Sequence, residues 1–332
     1  MRSYDALHGD IFSQQRHNKR ITIVLMAVFF LFVILVGISI DIYRYGSLEV
    51  LSLPVATLFA LGFASIQSFV SYYYGSNLVL RSLGAERLDF QNITHKKLHN
   101  VVTEMAIASG LPMPKVYILP DVSPNAFATG TDPANSVVGV TQGLLDTLNR
   151  DELSAVVAHE MGHIKSRDIL LMTIVTVLLG TVSLMSDWAI RSWRYGGIRT
   201  RKGGKSAVHP LILLVIGAFV LLSPIISRIM AMAISRNREY QADALSAQFT
   251  RNPLALASAL EKISSVSLPL RSAARGTAHL FISDPLKRRL DEKEGLAAEL
   301  LSTHPPVERR IERLRRMGYM YEQELPDAVT VS

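Results

Sequence analysis

Hydrophobic and polar positions divide this chain into long apolar runs and mixed stretches of short period. Residues 21–40 (ITIVLMAVFFLFVILVGISI) carry no charge over a length that spans a bilayer core as a helix. The run is longer than the apolar core of a signal peptide, and no small-residue cleavage site follows it. It therefore reads as a retained transmembrane span. Residues 51–74 read as a second span, interrupted by Pro54 and Gln67 and ending in Tyr72-Tyr73-Tyr74, a cluster suited to the membrane interface. A third apolar run covers 169–190 and a fourth covers 210–234.

Between the second and third runs, residues 75–168 are mixed and read as the first part of an aqueous domain. Its second part, 235–321, follows the fourth run, with polar tails at 1–20 and 322–332. The spacing predicts an amphipathic helix over 93–109 that ends at Gly110, a strand at 115–119, and two strands within 125–141 around a turn at Asp132-Pro133. Asn149 and Glu152 have the form of an N-cap pair opening the next helix. The expected fold is a mainly helical integral membrane protein, with an α+β aqueous domain and a small sheet.

Charge refines this picture. Charged residues are 19% of the chain against the roughly 25% usual for soluble proteins, and 49% are hydrophobic. The net charge of +7 carries no nucleic-acid-reading motif with it, so the basic residues are assigned to the lipid bilayer surface and no nucleic-acid partner is expected. The loop 191–209 holds six basic residues and no acid, beside Trp188, Trp193 and Tyr195, as an interfacial segment would. Arg2, Arg16, Lys19 and Arg20 place the N-terminal tail in the cytoplasm by the positive-inside rule, and two spans return 75–168 to that side. If runs three and four both cross, the basic loop breaks the rule; an embedded hairpin would keep it. The chain has no cysteine, which removes disulfides, thiolate metal sites and cysteine nucleophiles.

The chemistry lies in 156-VVAHEMGHIKSRD-168. His159 and His163 are one helical turn apart and converge on one face, so both rings can bind one ion. Glu160 points away around the helix and can reach a water on that ion as a general base. A catalytic zinc needs a third protein ligand and an open position. In 235-SRNREYQADALSA-247, Glu239 could complete the set, and Asp243 could accept the free ring N–H of a ligating histidine. Alternatively both are ordinary acids pairing with Arg236 or Arg238. His95 and His99 have the same spacing, but Lys96 and Lys97 lie between them, and the pair reads as a solvated helix face.

HEMGH followed at a distance by SRNREYQAD resembles the signature of the HtpX-type membrane zinc metalloproteases, relatives of the CAAX prenyl-protein endopeptidases. NAFATG (125–130), ELSAVVAHEMGHIKSRD (152–168) and STHPP (302–306) agree in order, and the likeness runs from about 93 to 317. It implies a zincin-like, gluzincin catalytic domain split by the apolar hairpin, with one Zn2+ held by His159, His163 and Glu239 and with Glu160 as base. It implies that Asn125, Ala126 and Phe127 lie on an edge strand pairing with substrate backbone. By analogy His304 donates to the tetrahedral oxyanion; its other reading is as a cap of the helix 305–317. That helix carries Arg309, Arg310, Arg313, Arg315 and Arg316, expected near lipid headgroups or acidic neighbours. The implied activity is hydrolysis of misfolded or damaged membrane proteins and unfolded polypeptides at a prokaryotic plasma membrane. A prenyl-protein processing enzyme and a non-catalytic zinc scaffold are the rivals. The first calls for more spans than this chain offers, and the second has no use for Glu160.

Overall fold

The computed structural model describes residues 11–45, 54–195, 236–266, 268–270, 277, 280–283 and 305–324. The fourth apolar run, most of the basic loop and His304 lie outside the described residues, as does the tail after residue 324.

Helices α1 (Ile11–Tyr45) and α2 (Val55–Ser82) pack against each other. The Asp41 carboxylate accepts the backbone N–H groups of Ala56 and Thr57 at 3.0 and 2.8 Å and the Thr57 hydroxyl at 2.7 Å. It thus satisfies donors that the first turn of α2 leaves open. Gln15–Ile42 and Val55–Ser82 are each long and apolar enough to cross a membrane, and are the two such single helices among the described residues. Their outer faces carry the exposed side chains of Leu31, Leu35, Phe59, Ile66 and Phe69, an apolar surface suited to lipid rather than water.

The mixed domain follows. Strand β1 (Glu86–Arg87) leads to α3 (Ile93–Ser109), which begins at the Asn92 cap and ends at Gly110 in the left-handed conformation. Strands β2 (Lys115–Leu119), β3 (Ala126–Gly130) and β4 (Ser136–Thr141) complete a four-stranded sheet ordered β1-β2-β4-β3. The β2–β4 pair is parallel and the other two pairs are antiparallel, so β3 is an end strand. After the short α4 (Gln142–Thr147), helix α5 (Arg150–Lys165) opens with a complete capping box: Asn149 and Glu152 exchange side chain-to-backbone hydrogen bonds at 2.9 Å. Glu152 also meets Lys262 and Ser258, at 2.8 and 2.7 Å.

Helix α6 (Asp168–Tyr195) leaves α5 at an angle of 87°, after Arg167 turns the chain with a φ of 57°. Helices α7 (Arg236–Thr250), α8 (Pro253–Ser265) and α9 (Val307–Glu324) close the domain. The sheet separates two cores. Ala126, Ala128, Val138 and Val140 face α5, α3 and α8, whereas Leu119, Phe127 and Val137 face the apolar helices α1, α2 and α6. Strand β3 is also pinned to α6 by the Thr129 and Thr173 hydroxyls, 2.7 Å apart. The molecule is therefore mostly helical, with a small mixed sheet wedged between the membrane-type helices and α5.

Candidate metal centre

Helix α5 presents His159, Glu160 and His163, all buried or nearly so, and α7 lies across it. The crossing is close because residue 162 is glycine. A Cβ there would stand 3.1 Å from the Ala242 Cα and 3.3 Å from its carbonyl oxygen, so the two backbones meet where a side chain would hold them apart. The Ser246 hydroxyl donates to the Ala155 carbonyl at 2.7 Å and fixes the same crossing. It brings Glu239 over the two histidines.

The Nε2 atoms of His159 and His163 are 3.2 Å apart; the Glu239 carboxylate oxygens lie 3.8 and 3.6 Å from them. One ligand atom from each of the three residues falls within 4.8 Å of the others. A tetrahedral ion with bonds of about 2.1 Å separates its ligands by roughly 3.4 Å, which these distances straddle. The far side of each ring is held too: His159 Nδ1 lies 3.0 Å from Asp243, and His163 Nδ1 lies 3.2 Å from Asp168. Carboxylates at both Nδ1 positions leave both Nε2 lone pairs facing the same point, an arrangement that repels itself unless a cation or a proton stands between them. The donor set fits a divalent metal.

Burial is the leading electrostatic influence throughout. It holds His159 below its usual pKa despite Asp243, and it pushes Glu160 up to about 7, with Glu239 adding to the rise. The Ala128 backbone on β3, close to the Glu160 carboxylate, partly offsets this. For His163, burial opposes charging, but its bond to Asp168 and the charges of Glu239 and Glu160 prevail and raise it to about 9. Burial alone would raise Asp243 as well; Arg310 overcomes it and holds the carboxyl below the usual range.

A model of peptidase family M48 matches residues 92–318. The chain belongs to peptidase family M48. Curated relatives agree: an HtpX protease homologue of Thermoanaerobacter pseudethanolicus is 40% identical over 309 residues, covering 92% of this chain and 98% of the relative. Homologues from Tropheryma whipplei and Thermococcus sibiricus are 43% and 42% identical, covering 80% and 81% of this chain and 85% and 89% of theirs. Among solved structures, Ste24p of S. mikatae aligns with 85% of this chain and 62% of its own at 18% identity, with a TM-score of 0.47. As an M48 peptidase the protein is a membrane metalloprotease.

Within this M48 chain, the residues read from sequence fall into four groups. His159, Glu160, His163, Glu239 and Asp243 converge at one centre. Ala126 and Phe127 open β3, Asn125 directly precedes them, and the Ala128 backbone next along the strand lies beside Glu160. His304 lies outside the described residues. His95 and His99 are elsewhere: His95 accepts the Asp89 N–H at 3.0 Å and His99 packs edge-on to Phe90.

The structure adds two residues that sequence reasoning passed over. Arg310 is wholly buried, donating to both Asp243 oxygens at 2.9 and 2.7 Å with Nη1 3.2 Å from Glu239. Asp168 holds His163 and is itself held by Asn18 of α1 and, at 3.6 Å, by the buried Arg238. Position in the motif could have drawn attention to Asp168, five residues past His163. Nothing local distinguishes Arg310 from the other arginines of α9: Arg315 and Arg316 pair with Glu261 and Glu312 on the surface, and Arg313 covers the Tyr240 ring.

Proposed function

We propose that the protein is a zinc-dependent endopeptidase of gluzincin type. It is held in a prokaryotic plasma membrane with its catalytic domain on the cytoplasmic side, and it hydrolyses peptide bonds in misfolded or damaged membrane proteins. The observation that carries this reading is the placement of Glu160: buried, next to the His159–His163–Glu239 cluster, and beside the backbone of an end strand of the sheet.

His159, His163 and Glu239 would hold one Zn2+, with Asp243 and Asp168 fixing the ring orientations and Arg310 fixing Asp243. When bound, zinc supplies a Lewis acid that polarises the scissile carbonyl and acidifies the attacking water. Glu160 takes the proton of that water and later gives it to the leaving amine. The group must gain and lose a proton in one turnover, as a general acid–base does. Asn125, Ala126 and Phe127 bind the substrate backbone, and His304 donates to the oxyanion. All four apolar segments lie at the membrane, with 169–190 and 210–234 leaving and returning beside the centre. Membrane-borne polypeptides then meet the site at high local concentration.

Detergent-purified protein is expected to cleave an unfolded membrane protein, to stop on addition of a zinc chelator, and to recover when zinc is returned. Cleavage that persists at full rate after metal analysis shows the zinc gone would overturn the assignment.

A further inference from the structure

The outward edge of β3 is already covered. Residues 281–283 run antiparallel along it, with Phe281 paired to Phe127. The Ile282 N–H donates to the Ala126 carbonyl at 3.1 Å. Asn125 closes on Ser283 from both sides: its Nδ2 donates to the Ser283 carbonyl at 3.1 Å, and its Oδ1 accepts the Ser283 N–H at 3.4 Å. The Ile282 carbonyl accepts from Arg310 Nη1 at 3.1 Å, the same nitrogen that approaches Glu239.

These contacts engage the N–H and C=O of two successive residues, so they read backbone rather than side chain, as a site for extended peptides must. They also follow one line. Asn125 meets Ser283, Ala126 meets Ile282, and two residues further along β3 the Ala128 backbone lies by the carboxylate of Glu160. A peptide laid on this edge is led to the catalytic base. Among the described residues the covering segment joins the sheet through the Phe127–Phe281 bridge.

We propose that residues 281–283 are an intramolecular stand-in for substrate: they fill the peptide groove formed by Asn125, Ala126 and Arg310, and a substrate must displace them to reach Glu160. The proposal rests on the peptidase reading and adds a restraint and a preference to it. Phe281 and Ile282 are buried on opposite faces of the sheet, in the two separate cores. Displacing them exposes two large apolar side chains. Only a peptide with adjacent large apolar residues compensates for that loss, and such pairs abound in unfolded membrane segments. A folded soluble loop would leave the segment in place.

The test uses full-length, zinc-loaded Glu160→Gln protein and a fluorescein-labelled peptide of the segment's own sequence, AHLFISD, with a control in which Phe and Ile are replaced by Ser. Ile282→Ala weakens the covering segment. It is expected to bind AHLFISD about tenfold tighter than the parent, as removal of an occupant filling the groove about nine-tenths of the time requires. Hydrogen exchange on the parent gives a second readout that needs no further substitution: the amides of 281–283 should exchange faster once the peptide is bound. Equal or weaker binding by Ile282→Ala, no binding to either protein, or amides that stay protected under saturating peptide would each show that 281–283 is a fixed part of the sheet. Displacement without any cleavage by the zinc-loaded parent of Glu160→Gln would count against the peptidase reading alone.

Discussion

At the scale of single residues, the centre is governed by which proton a metal must replace. In the metal-free protein, His163 is raised from an ordinary 6.5 to about 9, although burial opposes it, because Asp168, Glu239 and Glu160 surround it. Its contribution to stability is therefore whole below pH 6.5 and fades as pH climbs through 9. Zinc binding at pH 7 has to expel that proton. Calorimetry in buffers of different ionisation enthalpy should find at least about one proton released per zinc at pH 7, from His163 with a share from Glu160, and almost none well above pH 9. Zinc binding at pH 7 without proton release would show that His163 is neutral beforehand. The two histidines and Glu160 were legible in the sequence because their relation is local, fixed by the pitch of one helix. Glu239 needed a family resemblance to single it out. Arg310 was not legible: its partners Asp243 and Ile282 are distant in sequence, and only burial separates it from the solvated arginines around it.

At the scale of elements, the metal centre depends on how closely two helices cross. Gly162→Ala would place a methyl 3.1 Å from the Ala242 Cα, backbone that cannot move aside without the whole of α7. The variant should keep its fold, lose roughly 1–3 kcal/mol of stability through overpacking, and bind zinc more weakly because Glu239 is pushed outward. Thermal unfolding with and without zinc separates the two effects; unchanged zinc affinity would mean that α7 does not set the position of Glu239. The strand at 115–119, the two strands within 125–141 and the Asn149 cap could be read ahead of the structure, because turn residues and caps are short-range signals. The start of α1 could not. Its polar residues look like a tail, yet Gln15 donates to the Lys165 carbonyl at 2.8 Å and Asn18 to the Ser166 carbonyl at 3.1 Å. Those contacts extend the helix to Ile11 and brace the end of α5. A helix stabilised by docking leaves no periodic apolar mark of its own.

At the scale of the whole molecule, the sheet and α5 stand directly against membrane-type helices, and α6 runs on from α5 after a sharp turn. This explains why water chemistry adjoins an apolar run: the apolar helix α6 is part of the wall that holds β3 beside Glu160. The absence of cysteine makes the orientation testable. In intact cells, a membrane-impermeant maleimide should label Ser47→Cys, between the first two apolar runs, and spare Lys96→Cys on α3 until the membrane is opened. Labelling of Lys96→Cys in intact cells would place the domain on the other side. The central claim, however, is that Glu160 works as the base beside a bound zinc, and one comparison tests it most directly. Wild type and Glu160→Gln, both purified in detergent and both shown by metal analysis to hold zinc, are assayed on the same unfolded membrane protein. The account predicts a fall in kcat of about 10²–10⁴-fold with KM little changed. Cleavage by Glu160→Gln at the wild-type rate, or no cleavage by either protein while both retain zinc, would contradict it.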